Sequence, residues 1–164
     1  MNNKILRQFL TISFYFAMCL QVSAQISTTE RYYILQMHTL SGKVIGNTSF
    51  NEVVLNIPSN NKAQLFQFLP VTGKTNTYNL RNAEGYYLIN SVDLLQLTEY
   101  SETPEGLHGE WTVEGTGLTS LRLKSGSSGY LATENFNVGT LILCNKTGTD
   151  ANGLFKLVPE SEMV

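Results

Sequence analysis

Cysteine, histidine and aspartate are scarce in this 164-residue chain, and each shortage closes off some chemistry. There are two cysteines (Cys19, Cys144), two histidines (His38, His108) and two aspartates (Asp93, Asp150). The histidines have no ligand partners at metal-binding spacing. No spacing of acids suggests the carboxylate pair of a glycoside hydrolase. A Gly-x-Ser-x-Gly elbow and a phosphate-cradling glycine loop are both missing. The chain is therefore expected to be non-catalytic, with no cofactor and no metal. Cys144, on an expected strand, reads as a small buried apolar residue rather than a nucleophile. His38 and His108 read as surface residues. No convincing amphipathic helix follows the N-terminal segment, which excludes a helical fold.

Long apolar runs are missing too, apart from one near the start. Lys4 and Arg7 lead into an apolar stretch over about residues 9–20, which closes in Val22-Ser23-Ala24. That is the small-x-small pattern of a cleaved export signal. The run is shorter than the ~20 residues of a membrane span. Residues 1–24 are thus expected to be a signal peptide, and the mature chain to be periplasmic, cell-surface or secreted, without a transmembrane span. Lipidation of Cys19 is the alternative, although Phe16-Ala17-Met18 fits the Leu-small-small lipoprotein pattern poorly. Residues 25–164 remain as a single domain of 140 residues. Without Lys4 and Arg7 there are nine basic against 13 acidic residues, a net charge of −4. Such a balance gives no electrostatic reason to approach nucleic acid or anionic lipid. With one cysteine left, no internal disulfide forms, so stability comes from a packed core. Asn47 and Asn145 head glycosylation sequons, which matter only in a glycosylating host.

Alternation, by contrast, is plentiful. "YYILQM", "VVLNI", "LFQFLPV", "TYNLRN", "LRLKS", "TLILC" and "LFKLV" follow a period of two, separated by Asn, Gly, Ser and Thr clusters that supply turns. Many short strands in this rhythm predict a β-barrel or sandwich. Their spacing decides between the two. Tyr33 and Leu35, Tyr78 and Leu80, and Leu121 and Leu123 are offset by 45 and 43 residues. Phe66 and Phe68, Trp111 and Val113, and Phe155 and Leu157 are offset by 45 and 44. Two-residue spacing puts each pair on one strand face, so all twelve side chains can share an interior. Ile45, Leu88 and Leu131 mark second strands, in "LSGKVIGN", "AEGYYLIN" and "SSGYLATE". Third strands are expected at "VVLNI", "LLQL" and "TLILC". Three units are too few for a propeller of ~4–8 blades. The pattern predicts an all-β fold that resembles a β-trefoil: three four-stranded repeats of 43–45 residues, a six-stranded barrel closed by three hairpins.

The stretch "GTLILCNKTGTDANGLFKLV", residues 139–158, is similar to the end of a ricin-B-type lectin repeat. In that family a cysteine-bearing strand leads through an Asn-Thr-Asp-Ala-Asn-Gln turn to a Gln-x-Trp strand. Thr149, Asp150, Ala151, Asn152 and Leu154 match, with Phe155 in place of the tryptophan. Gln64-Leu65-Phe66 gives a second Gln-x-aromatic match, and Gly109-Glu110-Trp111 keeps only the aromatic. "SGKVIGN" resembles the family's Ser-Gly-Lys-Cys-Leu turn with valine for cysteine. The resemblance implies sugar binding through an Asp just after the second-strand core residue and an aromatic ring on the third strand. Those Asp positions hold Gly46, Ile89 and Ala132, and the ring position in the third unit falls near Ile142. Gly153 replaces the turn's Gln, and Tyr130 stands where the family's partner for Cys144 would be. The usual galactose-type site is not expected in any unit.

A different site stays open. With Leu88 and Leu131 facing inward, Tyr87 and Tyr130 face outward at equivalent positions, near Asn82, Glu84, Asn90 and Asn135. Rings for stacking beside paired donors and acceptors suit a glycan. The plain alternative is that the tyrosines only cover a hairpin, and that Asp150 and Asn152 only shape a turn. The candidate ligand contacts are therefore Tyr87, Tyr130, Asn82, Glu84, Asp150 and Asn152. Three functions stay open: a non-catalytic module for a glycan or polysaccharide; a protein-binding trefoil, inhibitor-like or cytokine-like, using residues 99–110; and a structural trefoil with lost sites. An extended 99–110 loop would favour the second, and equivalent shallow sites in two or three units the first.

Overall fold

The alternating segments form twelve strands in a computed structural model, which describes residues 26–27, 31–38, 42–48, 52–59, 61–91, 97–115, 117–127, 129–146 and 151–162. The expected signal peptide with Cys19, and also Asp93, Thr149 and Asp150, lie outside the described residues. The first repeat contains β1 (Tyr33–Met37), β2 (Val44–Asn47), β3 (Val53–Asn56) and β4 (Phe66–Pro70). The second contains β5 (Thr77–Asn82), β6 (Tyr87–Asn90), β7 (Thr98–Ser101) and β8 (Glu110–Gly115). The third contains β9 (Leu121–Ser125), β10 (Tyr130–Thr133), β11 (Ile142–Lys146) and β12 (Phe155–Pro159).

The pairing is that of a β-trefoil. β1, β4, β5, β8, β9 and β12 close a six-stranded antiparallel barrel, each hydrogen-bonded to the next and β12 back to β1. Within each repeat the first strand meets the fourth through matching residues: Tyr33 opposite Phe66, Tyr78 opposite Trp111, Leu121 opposite Phe155. Between repeats the register matches again, with Phe68 opposite Leu80, Val113 opposite Leu123 and Leu157 opposite Leu35. All twelve side chains are at most 5% exposed, so the threefold spacing in the sequence is a threefold packing in space. Burying each contributes about 1.5–3 kcal/mol, which no single repeat could collect alone. Tyr33 and Tyr78 meet Phe68 edge-on, with ring centroids 5.8 and 5.6 Å apart.

The second and third strands form the hairpin cap. Ile45, Leu88 and Leu131, all fully buried, stand opposite Leu55, Tyr100 and Cys144. The Cys144 thiol is buried, 3.4 Å from the Gly129 carbonyl. Cap and barrel are joined where Trp111 Nε1 donates to the Leu88 carbonyl at 2.8 Å. In the second repeat the described third strand is Thr98–Ser101; of the expected "LLQL", Leu97 bridges Leu143 and residues 94–96 lie outside the described set. Tyr100 is what fills the cap position, and that assignment depends on pairing with β6 rather than on apolar content. The β8–β9 turn needs Gly115: its φ is +144°, and an added Cβ would lie 2.3 Å from the Ser120 carbonyl. No helix among the described residues is long and apolar enough to cross a membrane.

Candidate functional site

Strand register creates a repeated surface feature on the second and third repeats. Tyr87 on β6 stands opposite Arg81 on β5, and Tyr130 on β10 stands opposite Lys124 on β9. Both tyrosines are half-buried and face outward, because Leu88 and Leu131 beside them face in. The Arg81 guanidinium carbon lies 5.7 Å from the Tyr87 ring centroid, and Lys124 Nζ lies 5.8 Å from that of Tyr130. Arg81 is held in place by its Nε, which donates to the Gly85 carbonyl at 3.0 Å. The Tyr130 hydroxyl donates to Glu114 Oε2 at 2.8 Å. That hydrogen bond, with partial burial and the Glu114 charge, raises its pKa, while Arg122 pulls the other way.

The first repeat lacks the feature. Val44 takes the tyrosine position and is 1% exposed, packed with Ile34 and Leu65 beneath Tyr32, Ala83 and Val158. The threefold core thus carries two such outward positions, not three.

The structure sorts the other expected contacts. Glu84 is exposed on the β5–β6 turn. Asn82 is a correction: it is 2% exposed, and its Oδ1 accepts from the backbone N–H of Glu84 and Tyr86 at 3.1 and 2.9 Å. It builds the turn and presents nothing to a ligand. Asn90 is also buried, its Nδ2 donating to Ser127 Oγ at 3.0 Å. Asn135 organises the β10–β11 loop, accepting from the Asn137 N–H and the Thr140 hydroxyl. Asn152 is half-buried and its Nδ2 donates to the Glu134 carbonyl at 3.3 Å, which ties the last turn to that loop. Arg81, Lys124 and Glu114 were missed by sequence reasoning. Each cation precedes its tyrosine by six residues, a spacing that acquires meaning only once the register sets the two opposite each other.

The lectin-type pocket positions are filled. Ile89 and Ala132 are buried, and an added Cβ on Gly46 would sit 3.2 Å from Gln64 Cγ. Gln64 itself is 2% exposed, accepting from the Ser59 N–H at 2.8 Å and donating to the Ile57 carbonyl at 3.0 Å. Large Gln64 faces small Gly46; in the third repeat, a Cβ on Gly153 would be 3.5 Å from that of Ala132. Ile142 is fully buried and offers no stacking surface.

The 99–110 segment is folded rather than extended. Residues 99–101 belong to β7, and Gly106–Gly109 forms a 3-10 turn entered through Glu105 at φ +50°. Gly109 packs so closely that a Cβ would fall 1.9 Å from the Pro104 carbonyl. His108 Nδ1 lies 3.1 Å from the Asn90 carbonyl, pinning the loop to the β6 end, so this histidine is half-buried rather than free on the surface. Among the described residues, no group of three or more His, Cys, Asp or Glu could hold a metal ion.

No protein-family model and no curated protein sequence matches the chain. Solved structures do. A designed threefold-symmetric protein, ThreeFoil, aligns at 19% identity and TM-score 0.66 over 77% of this chain and 97% of its own. A Polyporus squamosus lectin, solved with the human-type influenza-binding epitope Neu5Aca2-6Galb1-4GlcNAc, aligns at 16% identity and TM-score 0.62, over 77% and 48%. A GlcNAcα1-4Gal-releasing endo-β-galactosidase from Clostridium perfringens aligns at 18% and 0.65, over 79% and 32%. The chain spans nearly all of the designed protein, about half of the lectin and about a third of the glycosidase. At such identities the likeness establishes the β-trefoil fold and no activity.

Proposed function

We propose that this protein is an exported, non-catalytic β-trefoil that binds glycans, with Tyr87 and Tyr130 as the stacking platforms. The observation that carries the reading is the repeat itself: two half-buried rings at register-equivalent places, each beside a cation and polar groups. A pyranose presents an apolar face to such a ring and hydroxyls to its surroundings. The lectin among the structural neighbours supports the same class of ligand. Export rests on the N-terminal signal pattern, and the mass of the exported chain should lack the first 24 residues.

A glycan array and a polysaccharide pull-down with the mature protein test the binding. Tyr87→Ala and Tyr130→Ala should each weaken it about fivefold, for ~1 kcal/mol of lost stacking, with thermal unfolding close to wild type. Binding that survives both changes together, or no binding to any glycan, refutes the reading.

A further inference from the structure

Arg81 and Lys124 are the groups that the stacking model leaves unused. Arg81 spends its Nε on the Gly85 carbonyl, which fixes the plane of the guanidinium and leaves the terminal nitrogens at an exposed position beside Tyr87. Lys124 is exposed and lies over the Tyr130 ring. Neither forms an ion pair among the described residues, where Lys74–Glu110 is the salt bridge found. Glu114, opposite Arg122 on β9, accepts the Tyr130 hydroxyl at 2.8 Å, while Lys124 stands opposite Thr112. Two cations at equivalent places stand over aromatic rings and form no ion pair among the described residues.

We infer that the Arg81–Tyr87 and Lys124–Tyr130 pairs are two sites for carboxylate-bearing sugars, the ring taking the pyranose face and the cation its carboxylate. The inference rests on the glycan-binding reading and adds the ligand's charge to it. A fixed guanidinium plane presents paired N–H donors that match a carboxylate's two oxygens, while the Lys124 ammonium acts as a point charge. The Arg81 site is therefore the more selective of the two. Distant acids are screened beyond about 8–10 Å at ordinary ionic strength, but Glu114 on the Tyr130 hydroxyl lies within that range and weakens the Lys124 site. The first repeat contributes no third site, since Gln36 and Val44 occupy the paired positions there.

The test is calorimetric titration of the mature protein with a galacturonic acid hexamer and its carboxyl-reduced, neutral counterpart. A sialyl-terminated trisaccharide and its asialo form make a second pair. At least one acidic member should bind ten times or more tighter than its neutral counterpart, and the ratio should shrink with added salt. Arg81→Gln combined with Lys124→Gln should bring the ratio near one, while Arg81→Lys, which keeps the charge, retains part of it. Equal binding of acidic and neutral members overturns this inference and leaves the glycan-binding reading standing. Absence of binding to every oligosaccharide and to the array overturns both.

Discussion

Tyr100 stands at the cap position that Leu55 and Cys144 fill in the other repeats, and it brings a hydroxyl into the core. That hydroxyl donates to the Ala63 carbonyl at 3.0 Å, which joins the second repeat to the loop before β4. Burial, and then the Glu84 charge, raise its pKa well above the ordinary value of 10.0, against a smaller opposing effect of Asn82. A phenol whose folded pKa is raised contributes stability that is complete below its unfolded pKa and is lost as pH climbs toward the folded one. Unfolding in urea should therefore show stability falling above pH 10, where the unfolded tyrosine ionises and the native one does not. Tyr100→Phe should cost ~1 kcal/mol at neutral pH, for the lost hydrogen bond, and should show a shallower alkaline decline. An unchanged decline would place the titrating group elsewhere.

Among the elements, the described residues of the cap hairpins meet one another through three bridges around the pseudo-threefold axis, and one of them is unfavourable. Val54 faces Leu141 and Leu97 faces Leu143, but Glu52 faces Glu99. Like charges directly opposite across strands destabilise a sheet, as opposite charges stabilise it, by about 0.2–1 kcal/mol. Glu52→Lys should therefore raise the unfolding midpoint, and added salt should narrow the gain by screening; a midpoint lowered in low salt would contradict it. The hairpins also show how much of the site the sequence contained. Alternation alone turned Tyr87 and Tyr130 outward, once Leu88 and Leu131 were assigned to the core. It gave no indication that Arg81 and Lys124 would lie over the rings, because that depends on which residue of the neighbouring strand comes opposite. Asn82 misled for a related reason: its type suits both a ligand contact and a turn, and the turn took both uses of its oxygen.

For the whole molecule, the barrel distributes its core over three repeats, and none is complete by itself. Phe66, Trp111 and Phe155 are fully buried at equivalent positions. Replacing any of them with alanine should cost about 3–5 kcal/mol, a large share of the ~5–15 kcal/mol typical of a domain. Trp111→Ala should be the most damaging, because it also strips the Leu88 carbonyl of its donor. Since the repeats share one interior, wild-type unfolding should be a single transition, with Trp111 fluorescence and β-sheet circular dichroism coinciding. Separate transitions would mean that one repeat folds on its own.

The sequence by itself determined the strand rhythm, the threefold spacing, the twelve barrel residues and the absence of Asp at the positions that the lectin resemblance marks. These are properties of side-chain type and period, which a chain displays without folding. Only the tertiary structure decided that Gln64 closes over Gly46, that residues 99–110 fold back, that the first repeat buries its outer position, and that two cations accompany two tyrosines. Each of those depends on register and close packing between segments distant in sequence, and no periodicity along the chain records such distances.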